Sequence, residues 1–170
     1  PTTPGKGRQG LIVRRDLATG AGFALEIQDG GVAFVAGDAS GGEIAVCSGR
    51  AMQKRHWYLV AAAFDQARGA VTLVQRPLTR HPHTDDEAIV TETVAIAPEA
   101  CAAPLIMAGA RMADGTVARH YNGKLDSPTL IGRALELTEL DAVLLRPMPQ
   151  PIRRDLIGAW DFSREMPTTR

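Results

Sequence analysis

An all-β fold, a sandwich or barrel of short strands, is what this 170-residue sequence predicts. Three features point there. Apolar residues alternate with a period of two along most of the chain, and long 3.6-residue periodicity is absent. Turn signals recur roughly every eight to twelve residues. The apolar runs between them are short, and none approaches the length needed for a membrane-spanning helix.

Leu11-Ile12-Val13 opens a strand that runs into Arg14-Arg15-Asp16. Thr19-Gly20-Ala21-Gly22 is a turn. Phe23, Leu25 and Ile27 then alternate with Ala24, Glu26 and Gln28. Asp29-Gly30-Gly31 supplies the positive-φ positions of a tight hairpin, and Val32 to Val35 returns. After a loop at Gly37 to Gly42, Ile44 to Cys47 is a weak strand. Trp57 to Phe64 is almost unbroken apolar sequence, so it is expected to be a central strand covered on both faces. Asp65 to Gly69 is a hairpin loop with Gly at the left-handed position, and Val71 to Val74 goes back.

Residues 77 to 87 form a polar loop. Further strands are expected near Ile89 to Ile96, Leu105 to Ala110 and Val117 to Tyr121, with turns at Asp114-Gly115 and Asn122-Gly123. One short helix is expected, capped by Thr138, carrying Leu140, Val143 and Leu144 on one face and ended by Pro147. Leu156 to Phe162 is the last strand.

Composition narrows the function classes. Nineteen Lys and Arg balance nineteen Asp and Glu. A neutral chain is a poor partner for nucleic acid or anionic lipid, so neither is expected. Cys47 and Cys101 lie far apart, outside any CxxC spacing, and are read as small buried residues in a cytoplasmic protein. The opening Pro1-Thr2-Thr3-Pro4-Gly5 and the closing Met166 to Arg170 look like linker. The expectation is a single domain over 1–170, cut from a longer chain, with 1–9 and 164–170 linker-like.

Three segments carry a family resemblance. Arg55 to Val60, with Phe64-Asp65, Gly69 and Val71 to Leu73, resembles a Trp-headed hairpin of the concanavalin A-like, laminin-G-like superfamily. Ala108-Gly109 through Tyr121-Asn122-Gly123-Lys124-Leu125-Asp126 to Leu135 resembles its Asn-Gly-Lys stretch. Ala159-Trp160-Asp161-Phe162-Ser163 resembles its closing strand. The resemblance implies an antiparallel two-sheet jelly-roll sandwich with one short helix, and structural roles for Trp57, Asn122, Gly123, Asp126, Trp160 and Asp161. Asn-Gly should make a two-residue turn between strands, and Asp126 should accept backbone N–H bonds.

More narrowly, the first strand pair with Tyr121 to Pro128 and Ala159 to Ser163 is similar to the lectin-like region of the large subunit of bacterial N,N-dimethylformamidase and its relatives. That resemblance implies a non-catalytic accessory domain of a linear-amide hydrolase. The family's iron, held by tyrosines and a glutamate in a later region, does not transfer to Tyr58 and Tyr121, which lie among predicted core residues. No cofactor is expected in this segment, and its partners are expected to be other domains or subunits. The alternative is a carbohydrate-binding, lectin-like module with a glycan partner.

Other chemistry is thinly represented. Glu139-Leu140-Asp141 lacks the third acid of a glycosidase strand and looks helical. His81, His83, Asp85 and Asp86 form the one cluster of metal-competent side chains, but Pro82 restricts the loop and a solvated segment is expected. Phe23, Phe34, Trp57, Phe64, Trp160 and Phe162 fall in patterns that predict burial, leaving few aromatics for stacking sugars. His56 and His120 read as structural or surface histidines, and Gly5-Lys6-Gly7-Arg8 is too short for a phosphate loop. Arg14, Arg15, Arg153 and Arg154 are expected to anchor a neighbouring domain or subunit.

Overall fold

The computed structural model describes residues 3–145 and 147–162. Strands dominate, every strand pairing in it is antiparallel, and the helices are two short ones. The fold class is therefore all-β, as expected, with one helix more than the sequence suggests. The chain divides into two compact units between Lys124 and Leu125, where the sequence suggests a single domain. Ser163 and the expected linker at 164–170 lie outside the described residues.

The first unit is built on β1 (Gln9–Arg15), β2 (Gly22–Gln28), β3 (Gly31–Gly37) and β4 (Glu43–Cys47). A second meander is β5 (Tyr58–Asp65), β6 (Ala70–Pro77) and β7 (Ala88–Thr93). Short pieces follow: β8 (Ile106–Met107), β9 (Ala110–Arg111) and β10 (Val117–Ala118). The larger sheet has the order β4-β3-β2-β1-β8, the smaller β5-β6-β7, and β9 pairs with β10. β6 contacts β3 and β4, and β7 contacts β4, so the two larger sheets lie against each other as in a β-sandwich.

The Asp29-Gly30 hairpin forms as predicted. Gln28 pairs with Gly31, and Asp29 and Gly30 take φ of 48° and 82°. The Asp65 loop also forms, with the Asp65 carboxylate accepting the backbone N–H groups of Ala67 and Arg68 and Gly69 at φ 59°. Asp16 and Asp114 hold their turns in the same way.

Several expectations are corrected. Tyr58 to Asp65 is an edge strand, half-buried along its length, and not the central one. The strand buried at every residue is β3, which sits inside the five-stranded sheet with both faces covered. In β2, Phe23 and Leu25 on one face are half-buried, while Ala24 and Glu26 on the second are buried. The small side chains Val13, Ala24, Val35 and Ala110 form a core cluster on that second face. Of the six aromatics expected in the core, Phe34 is buried; Trp57 is 43% and Phe162 42% exposed. Trp57 precedes an edge strand, so little chain lies beside it.

No turn forms at Asn122-Gly123, because neither residue adopts the positive φ that the two-residue hairpin needs. Asn122 is used differently: its N–H donates to the Gln9 side chain and its C=O accepts from Thr3 N–H. The opening residues are correspondingly tied down. Pro4 is buried, Gln9 starts β1, and its side-chain amide donates to Thr3 O. Residues 1–2 lie outside the described residues.

The second unit holds β11 (Thr129–Ile131), α1 (Leu137–Val143), α2 (Gln150–Arg153) and β12 (Leu156–Ala159). β11 pairs with β12, and Leu135, Leu140 and Ile152 are buried. The helix cap is Glu136, two residues before Thr138, and the Glu139 carboxylate accepts its N–H at 3.0 Å. The Trp160 ring lies over Gly158, where a Cβ would come within 2.7 Å of it. Asp126 is exposed and accepts from the Ser127 hydroxyl at 3.3 Å rather than from a neighbouring loop.

Candidate functional site

The densest polar chemistry of the first unit collects where the N-terminal strap, the β2–β3 turn and the β4–β5 loop meet. Between them is a cleft of about 830 Å³ lined by Arg8, Gln28, Asp29, Met52, Lys54 and His56, among others. Backbone bonds fix its walls. Met52 N–H donates to Gly30 O and Ser48 N–H to Val32 O, both at 2.8 Å.

Behind the cleft, the Gln75 side chain is fully buried and uses both ends. Its carbonyl accepts Val32 N–H and the Ser48 hydroxyl, and its NH₂ donates to Arg50 O and Asp86 O. Four groups from three segments are held by one amide, which satisfies backbone groups that burial would otherwise strand. Beside it, the Tyr58 hydroxyl donates to Asp86 at 2.5 Å and accepts Gln53 N–H at 2.7 Å. Burial, then the Asp86 hydrogen bond, push the Tyr58 phenol up to about 12.

Below the strap lies a buried carboxylate. Glu26 is 1% exposed and accepts from Arg8 Nε and from the Gln28 amide, both at 2.5 Å. Arg119 approaches its second oxygen at 3.8 Å. Desolvation, then the nearby Arg8 charge, lower the Arg119 pKa. One acid thus anchors the strap, mid-sheet β2 and the segment after β10. Arg8 Nη2 and His56 Nδ1 are buried with no hydrogen-bond partner among the described residues.

The metal-competent loop does not converge. Residues 81–85 are exposed, Asp85 pairs with Arg50, and Asp86 is turned inward to Tyr58. His81 lies against the His56 ring, with centroids 4.7 Å apart. Among the described residues no group of three or more His, Cys, Asp or Glu is placed to hold a metal ion.

The four arginines singled out as anchors have different fates. Arg15 is 6% exposed, donating to Gly20 O and Glu43, so it serves the unit's own fold and is no surface anchor. Arg14 donates to the Ala103 and Cys101 carbonyls across its sheet edge. Arg153 and Arg154 are exposed at the end of α2. Cys47 is exposed and Cys101 half-buried, both as free thiols, which corrects the expectation of buried residues.

The sequence gives no functional reading for Glu26, Lys54 or Gln75, and Arg8 enters it only in the rejected phosphate-loop candidate Gly5-Lys6-Gly7-Arg8. A carboxylate set inside the apolar run Phe23 to Ile27 was the available signal for Glu26. In the second unit, Arg133 forks between Glu139, at 2.6 and 2.8 Å, and Asp155, at 2.9 Å. That hydrogen bond lowers Glu139 to about 2.

Among the described residues no helix is long and apolar enough to cross a membrane. No family model matches this chain. Two curated proteins are similar to it. The N,N-dimethylformamidase beta subunit of Paracoccus aminophilus is 33% identical over 175 residues, covering 95% of this chain and 23% of that protein. The N,N-dimethylformamidase beta subunit of an Alcaligenes species is 30% identical, with the same coverage. The chain therefore spans 23% of the length of the relatives it matches. Both relatives are named as the beta subunit, which corrects the expected large subunit, and neither name supports the lectin alternative. Over nearly its whole length, the chain is similar to one stretch of the N,N-dimethylformamidase beta subunit.

Proposed function

We propose that this chain is a non-catalytic, accessory β-sheet segment of an amide-hydrolase subunit similar to the N,N-dimethylformamidase beta subunit. The observation that carries the reading is the 33% identity across 95% of the chain. The proposed parent hydrolyses a small linear amide, and its remaining domains and subunits are the partners of this segment. Exposed apolar side chains support a covered surface. Trp57, Leu78 and Ile89 stand out on the three-stranded sheet and its ends, where a further layer would shield them. A jelly-roll, concanavalin A-like topology, the absence of a resident cofactor and a cytoplasmic setting belong to the same proposal. The free thiols Cys47 and Cys101 support the last of these.

The test is excision. The parent chain is expressed with and without this segment alongside its other subunits, and assembly and N,N-dimethylformamide hydrolysis are measured. The reading expects assembly to fail or weaken on deletion and the segment alone to show no hydrolysis. Hydrolysis by the segment alone, or unchanged assembly without it, refutes the reading.

A further inference from the structure

The cleft of the first unit has features that internal packing does not use. Its lining and the cluster beneath it hold three cations, Arg8, Lys54 and Arg119, against two carboxylates, Glu26 and Asp29. One positive charge is left over. Arg8 is fixed through Nε by Glu26, so its planar guanidinium is oriented before any ligand arrives, and Lys54, exposed on the β4–β5 loop, lines the same cleft. Arg8 Nη2 and His56 Nδ1, on two of the lining side chains, are buried with no hydrogen-bond partner among the described residues, as is Glu26 Oε2 beneath them.

We propose that this cleft binds a small monocarboxylate. The surplus of one charge matches a single negative group. A phosphate dianion would exceed it and face Asp29 with the buried Glu26 behind. The flat donor edge of a guanidinium suits a planar carboxylate. Gln28 and Gln53 add amide donors at the rim, while Pro4, Ala51 and Met52 provide apolar surface for a short hydrocarbon body. This inference stands apart from the proposed accessory role, since it concerns a ligand of this segment and not the parent's reaction.

The test is a titration of the full chain with sodium acetate and sodium propionate, followed through the His56 and His81 ring resonances by NMR. Acetamide serves as the neutral control and inorganic phosphate as the competing anion. Saturable shifts with both carboxylates are expected, tightening from acetate to propionate and missing with acetamide. Lys54→Gln, an exposed change, should weaken binding roughly threefold to tenfold. The double variant R8Q/E26Q, which removes the buried acid together with its partner, should abolish it. Should that variant fail to fold, the Lys54→Gln result decides alone. Shifts that do not saturate, acetamide binding as well as acetate, phosphate binding more tightly, or K54Q binding unchanged would each overturn the assignment.

Discussion

At the scale of single residues, buried polar groups organise the first unit. Gln75 satisfies four partners at once, and no apolar side chain of its size replaces that. Gln75→Leu leaves Val32 N–H, the Ser48 hydroxyl and two carbonyls without this partner, and should cost about 2–4 kcal/mol in urea unfolding. Glu26 is the second such residue. Glu26→Gln leaves Arg8 and Arg119 facing each other without the acid between them. The cost should be about 2–3 kcal/mol, below the fully buried range because the Arg8 side chain keeps 33% of its surface in water. Tyr58 makes the alkaline prediction. Its phenol is raised from 10 to about 12 in the folded chain, so the folded state holds that proton while the unfolded state has lost it. The stabilising effect is complete below pH 10 and disappears as pH rises toward 12, and Tyr58→Phe should remove that component from a stability–pH profile. The partners of Gln75 lie 11 to 43 residues from it, so that partnership is not readable from spacing.

At the scale of elements, turn chemistry decides which sequence signals hold. Asp29-Gly30 and the Asp65 loop take the conformations their residues favour, because flanking strands of matched length pair across them. Asn122-Gly123 carries an equally good local signal, yet neither residue takes a positive φ, and Asn122 is bonded to Gln9 and Thr3. Long-range bonds to the strap outweigh a local preference of about 1 kcal/mol. Gly22 shows a backbone requirement that sequence pattern hides. It takes φ 114°, and a Cβ there would lie 2.2 Å from Arg14 O. Gly22→Ala should therefore cost well over about 1 kcal/mol by thermal unfolding, against little effect for Gly5→Ser, where neither a neighbour nor a positive φ opposes a side chain. In the second unit, α1 is held through Glu139, whose carboxylate caps Glu136 and pairs with Arg133. Its lowered pKa means that this stabilisation is present above pH 4.5 and fades as pH falls toward 2. Glu139→Gln should flatten the acid limb of that unit's melting profile.

At the scale of the whole molecule, what the surface leaves open separates folding from assembly. Trp57→Ser and Ile89→Thr remove exposed apolar surface, so unfolding of the free chain should change by no more than about 0.5 kcal/mol. The same pair should reduce self-association of the free chain by light scattering and weaken assembly of the parent. The sequence by itself determined the fold class, the two working hairpins and the polar character of the 77–87 loop, because alternation and turn residues act over a few neighbours. It also carried enough of the first strands and the Tyr121 to Pro128 segment to point at the dimethylformamidase relatives, though not at the subunit they are named for. Tertiary structure alone decided that β3 and not Tyr58 to Asp65 is the covered strand, that Glu26 is buried between two arginines, and that Arg8, Lys54 and His56 share a cleft. Burial depends on which sheet comes to lie over which, and that is settled by contacts between residues far apart in the chain, where a local pattern carries no information.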